Sequence, residues 1–315
     1  MRRRVAVAAG IALAATPTLA LAADAAGGER SIPAPLAPRS LLLDAAARGG
    51  LLVAVGERGH VLLSRDGGAS WTQAEVPTRA MLTGVALFDE RRAWAVGHDE
   101  AIVRSRDGGA TWELVRSEPD NQRPLLDVWF GDAEHGFAIG AYGAYLVTAN
   151  GGATWEERPI GEDDYHLNEI VEAADGALYI AAEAGHLYRS DDRGESWRAL
   201  PTPYEGSYFG ALPLADGALL VFGLRGHLYR SEDRGESWSE VPTGTEATLM
   251  AGLELPGGEV LVAGLAGVLL RSEDGGRSFR LEAFDDRRGH VAALAVDGEV
   301  LLFGEGGARR LERKR

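Results

Sequence analysis

The 315-residue chain has no cysteine, so it has no disulfide, thiolate metal site or cysteine nucleophile. Stability must come from burial alone. Positive charge is short: 32 Lys and Arg face 47 Asp and Glu, a formal net charge of −15. A surface of that sign repels nucleic acid and anionic lipid, so neither is expected as a partner. A nucleophile-elbow signature is missing, and no acidic turn continues into the calcium-loop pattern with its late bidentate glutamate. Nothing in the sequence calls for a cofactor or a metal.

What the chain has is repetition. "SRDGGASW" (64–71) returns as "SRDGGATW" (105–112), "TANGGATW" (148–155), "SDDRGESW" (190–197), "SEDRGESW" (231–238) and "SEDGGRSF" (272–279). The third positions, Asp66, Asp107, Asn150, Asp192, Asp233 and Asp274, are spaced by 41, 43, 42, 41 and 41 residues. That period marks an array of supersecondary units. Before each turn stand two short apolar strands joined by a glycine turn, as in "ALLVFGLRGHLYRS". Another apolar strand precedes them and one more begins at the aromatic residue, giving four strands per unit. The chain therefore reads as all-β, a seven-bladed propeller of four-stranded antiparallel blades, with a six-bladed ring as the alternative.

The turn has a structural reading that needs nothing from solvent. Its carboxylate accepts N–H bonds within the turn, glycine permits backbone angles closed to other residues, and the ring packs between blades. The rings are Trp71, Trp112, Trp155, Trp197, Trp238 and Phe279. Asn150 keeps the oxygen acceptor and loses the charge, so the motif is indifferent to charge. Arg104, Arg189, Arg230 and Arg271 immediately precede their turns and are expected to pack their stems or pair with acidic neighbours between blades.

These turns resemble the Asp-box (BNR) repeat, Ser-x-Asp-x-Gly-x-Thr/Ser-Trp, found in sialidases and in the Ycf48-like (HCF136-like) photosystem II assembly factors. The resemblance covers residues 40 to about 308. From the assembly factors it implies a non-catalytic protein-interaction or assembly scaffold, whose partner is a membrane protein complex or its periplasmic domain. From the sialidases it implies the alternative, a glycoside hydrolase or glycan-binding protein. The sialidase Phe/Tyr-Arg-Ile-Pro element is absent, and "RSIPAP" (30–35) is only an echo of it. No arginine can then be assigned to a substrate carboxylate, and no catalytic residue is nominated.

In a four-stranded blade the Asp-box turn lies at one end, while the b–c turns and the d–a links share the other. Variable loops on a rigid scaffold carry binding. The partner-binding candidates are accordingly Glu57, Arg58, His98, Asp99, Tyr142 and Arg225 on b–c turns, and Asp164, Tyr165, His166, Tyr204, Tyr208, Arg287 and Arg288 on links. His60, His186 and His227 recur at equivalent places after b–c turns, on different blades, without the near-neighbour spacing of a metal set.

The start, "MRRRVAVAAGIALAATPTLALAADA", reads as a signal peptide over residues 1–22, with three arginines, a short apolar core interrupted by Pro17, and an Ala20-Leu21-Ala22 cleavage triplet. Its removal would place the chain in the periplasm or outside the cell, without membrane insertion. The segment 23–39 is expected to close the ring, residues 29–38 adding the outer strand of the seventh blade, and residues 40–315 form the propeller.

Overall fold

The computed structural model describes residues 29–161 and 163–311; the expected signal peptide lies outside them. Seven antiparallel sheets follow one another in chain order, six with four strands and the last with three, a seven-bladed propeller. In the first blade the strands are Leu42–Arg48 (a), Leu51–Gly56 (b), Val61–Ser64 (c) and Thr72–Gln73 (d). All six residues of strand b are buried, because a blade is packed on both faces by its neighbours. Strand a buries only some of its residues, since its other side lines the axis.

One apolar cluster fills each of the seven seams. The seam between blades 1 and 2, for example, joins Val53, Val55 and Val76 to Leu82, Val85 and Trp112. The seam that closes the ring joins Leu42, Leu52 and Leu62 to Ala292, Leu301 and Phe303.

The Asp-box turns have the geometry their sequence implies. Asp66 Oδ1 accepts from Ser64 Oγ at 2.8 Å and from Ser70 N at 2.9 Å, and Gly68 N donates to Ser64 Oγ at 2.9 Å. Asn150 preserves this: Oδ1 accepts from Thr148 Oγ1 at 3.0 Å and Thr154 N at 3.0 Å, while its amide donates to Thr154 Oγ1 at 2.8 Å. The rings pack on the preceding blade: Trp71 meets Phe303 edge-on at 6.0 Å, and Trp197 meets Tyr145 at 6.0 Å.

The N-terminal segment departs from expectation. Ser31 N bonds Val76 O at 2.9 Å, Gln73 Nε2 bonds Ile32 O at 3.0 Å, and Ala34 N bonds Gln73 Oε1 at 2.8 Å. It therefore lies on the outer edge of the first blade, and the seventh sheet keeps three strands. Pro33 and Pro35 have no N–H to offer a ladder, and the Gln73 side chain supplies the contacts to Ile32 and Ala34. The turn Ala37–Arg39 then wedges into the closing seam, where Ala37 is buried with Phe303. A Cβ on Gly307 would fall 1.9 Å from Pro38 O, so glycine is required there.

Candidate functional site

The b–c turns are built alike. Their second residues all have positive φ: Arg58 57°, Asp99 61°, Tyr142 54°, Ala184 53°, Arg225 56°, Ala266 55° and Gly306 90°. In five of them the next residue is a glycine near 70–78°. Two consecutive left-handed residues make the tight turn that matches strand twist, and they thrust the first side chain outward at the tip. Arg58, His98, Asp99 and Arg225 are exposed there, and Tyr142 is 55% exposed. Among the described residues neither Arg58 nor Arg225 makes a hydrogen bond or ion pair. Glu57 begins the first turn, its carbonyl accepting His60 N at 3.0 Å.

The histidines have a packing role. Tyr165, on the link into blade 4, stacks on His186 at 4.0 Å, and Tyr204, on the link into blade 5, lies against His227 at 4.1 Å. Tyr142 meets His166 edge-on at 5.0 Å, and His60 Nδ1 sits 2.9 Å from Ser40 Oγ. His60, His186 and His227 each pin an incoming link to their turn. Among the described residues, no group of three or more His, Asp or Glu is placed to hold a metal ion.

The nominated aromatic and link residues thus divide. Tyr142, Asp164, Tyr165, His166 and Tyr204 form an arc over blades 3 to 5 that is at least partly exposed. Arg287 and Arg288 are exposed beside blade 7, where the Arg288 guanidinium lies over Gly306. Tyr208 does not belong to the face. It starts strand a of blade 5 and is 0% exposed, packed among Leu187, Val221 and Tyr229, so it cannot touch a partner.

Inside the arc opens the axial channel, a cavity of about 370 Å³. Every strand a has a bulge near its start. Each blade contributes a wall residue there: Leu43, Thr83, Leu126, Asn168, Phe209, Met250 and Val291. Beside them stand three carboxylates that the sequence reading did not single out, Asp44, Asp127 and Glu169. Each reaches to the next blade: Asp44 accepts from Val85 N at 2.7 Å, Asp127 from Ile170 N at 2.9 Å and Glu169 from Ala211 N at 2.8 Å. They clasp neighbouring inner strands. Burial raises Asp127 to about 7, and burial with mutual repulsion raises Asp44 and Glu169 well above the carboxylate range. The available signal was a carboxylate at one phase of three apolar strands, "LLD" twice and "LNE" once.

A fourth carboxylate organises the face. Glu100 occupies the turn position that is glycine in blade 1, with φ 48°, and is fully buried. It accepts from Arg116, from Asn121 at 2.9 Å and from Arg123 at 2.8 Å, and Arg123 continues to Glu157 at 2.7 Å. Burial pushes its pKa up, but the bonds from Arg116, Asn121 and Arg123 outweigh that and hold it below the usual value. The network fastens the link 117–124.

The family model described as photosynthesis system II assembly factor YCF48 matches residues 117–241. A search of curated proteins gave no match. Among solved structures, YCF48 bound to D1 peptide superposes with TM-score 0.72 at 19% identity, covering 89% of this chain and 94% of that one. YCF48 from Cyanidioschyzon merolae gives 0.69 at 17% identity, with 89% and 97% covered. Virginiamycin B lyase from Staphylococcus aureus gives 0.72 at 13%, with 85% and 93% covered. A lyase fits the backbone as well as an assembly factor does, so fold alone carries no activity. The Asp boxes and the family-model match over residues 117–241 make the chain similar to the Ycf48 family in that stretch, and the superpositions show the fold, a seven-bladed Asp-box propeller.

Proposed function

We propose that the chain is a non-catalytic, exported interaction scaffold that holds an extracytoplasmic segment of a membrane-associated protein complex during assembly. Its contact surface is the b–c face, from Arg58 and Arg225 across Tyr142, Asp164, Tyr165, His166 and Tyr204. The observation that carries this reading is the tip geometry: seven rigid turns present unbonded arginines and an exposed tyrosine around one channel mouth. Turns whose backbone is already fixed lose little main-chain entropy on binding. A Ycf48 structure is bound to a D1 peptide, which supports a peptide-holding role for this related ring. The channel carboxylates argue against hydrolysis, because each is committed to a backbone N–H of the next blade. A periplasmic or secreted address fits the N-terminal sequence.

The test is affinity capture from solubilised envelope with the tagged mature protein, repeated with Arg58→Glu plus Arg225→Glu. The expected outcome is one membrane complex, lost in the double variant while its melting temperature stays the same. Capture that survives the double variant removes the b–c face from the proposal. Failure to recover any complex removes the scaffold role.

A further inference from the structure

The seams of the ring are stitched by a recurring contact. On the flank of a blade, a strand b residue pairs with a strand c arginine: Trp94 with Arg104, Tyr179 with Arg189, Leu220 with Arg230 and Leu301 with Arg310. The arginine donates to a backbone carbonyl in the Asp box of the following blade. The bonds are Arg104 to Gly151 O at 3.1 Å, Arg189 to Arg234 O at 3.4 Å, Arg230 to Gly275 O at 3.0 Å and Arg310 to Gly67 O at 2.9 Å. The next glycine presses on the strand b residue: a Cβ on Gly152, Gly276 or Gly68 would come 2.6, 2.9 or 2.6 Å from Trp94, Leu220 or Leu301. The box aromatic fills what remains.

Blade 6 has the same seat, Leu261 paired with Arg271. Blade 7 brings no box to it, and its strand c is Gly307–Leu311. Arg271 turns to Glu259 and to Glu282, 3.6 Å away. A cavity of about 710 Å³ opens over Leu261, Arg271, Arg280 and Leu311. A second, of about 640 Å³, adjoins it along Arg271, Arg280 and Leu311 and reaches the exposed Leu281. The buried cluster of this seam holds five residues, where the next smallest holds eight.

Among the described residues, the strand beside the cavity has a strand partner on one edge alone. Gly307–Leu311 pairs on one side with Glu299–Gly304 through the two-residue turn Glu305-Gly306. In such a hairpin Gly307, Arg309 and Leu311 direct their backbone groups inward, and Ala308 and Arg310 direct theirs outward.

We propose that this flank is a docking seat for a partner segment with Asp-box chemistry, distinct from the b–c face. The segment comprises a glycine turn whose carbonyl accepts from Arg271, an aromatic residue close behind it that enters the cavity, and an extended strand that adds to Gly307–Leu311 as the fourth strand. Four boxes of this chain, those that receive Arg104, Arg189, Arg230 and Arg310, show what such a seat holds, which fixes the chemistry of the occupant. Strand addition supplies affinity through the main chain, and the cavity supplies selectivity for the ring.

The probe is a fluorescent synthetic peptide copying residues 231–241, titrated with the full chain by anisotropy. Saturable binding is expected, weakened about tenfold or more by Arg271→Ala and by N-methylation of the peptide's strand residues. The melting temperature of the variant, unchanged, separates loss of the seat from loss of the fold; the N-methylated peptide tests the edge with the protein intact. Absence of saturable binding, or binding indifferent to both changes, overturns the proposal. A concentration-dependent dimer that blocks the peptide overturns it in favour of a second copy at the edge.

Discussion

A single residue, the third of the Asp box, decides how each outer turn closes. Its oxygens are shared by a serine or threonine hydroxyl on either side and by a backbone N–H. These bonds, led by the one from the following hydroxyl, hold Asp233 and Asp274 at about 2. What the turn needs is the acceptor, as Asn150 demonstrates. Replacing Asp107 by Asn should therefore leave the melting temperature nearly unchanged, whereas Asp107→Ala, which loses the bonds from Ser105 and Thr111, should lower it by about 2–4 °C at neutral pH. Calorimetry on the two variants checks the difference. Linkage gives the acid behaviour: carboxylates depressed in the folded chain contribute stability that is complete above the usual value near 4 and is lost as pH falls toward 2. Asp233→Asn should accordingly flatten the low-pH limb of the stability curve.

At the scale of the element, the links depend on what anchors them. Link 117–124 carries exposed residues and is fastened through Glu100. Glu100→Gly restores the residue that blade 1 has at this turn position and deprives Arg116 and Arg123 of their partner. Limited trypsin digestion should then cut after Arg116, where the link begins with Ser117, about tenfold faster while the other links stay protected; uniform cutting rates would show that the link stands without it. The N-terminal segment is the other such element. Deleting residues 29–38 removes Ala37 from the closing seam, and the expected result is a lower melting temperature in one cooperative transition. What was legible in the sequence follows the same division. The box, the turn glycines and the period recur locally, so pattern alone revealed seven blades and the two ends of each. Tyr208 was misread because "TPYEGSY" looks like one loop, although its last residue already starts a buried strand. Residues 29–38 were sent to the wrong edge because two prolines are compatible with an edge without saying which one. The channel carboxylates escaped because one acidic residue in an apolar strand looks solvent-facing; only closure of the ring turns that side toward an axis.

The whole molecule adds what no blade has alone, an axis where three carboxylates meet with His166 and without an arginine or lysine among the described channel-lining residues. Asp127 holds its proton up to about 7, and Asp44 and Glu169 are raised in the same direction by burial and by one another. The unfolded chain releases these protons near 4, so between about 4 and 7 the folded state binds more protons than the unfolded one. Stability therefore falls as pH rises through that window. Two buried histidines act in the opposite sense: burial lowers His60 and His290 below 6.5, which weakens the fold as pH drops. The raw pH profile mixes both effects, and Asp127→Asn separates them. That variant keeps the histidines and removes one titration, while its amide places a donor toward Val128 N or Ile170 N and lowers the melting temperature throughout. The expected signature is in the slope: between pH 5 and 8 at fixed ionic strength, the wild-type melting temperature should fall more steeply than that of the variant. Parallel curves would mean that the channel carboxylates stay ionised across the range, and that the clasps between blades are charge-assisted bonds.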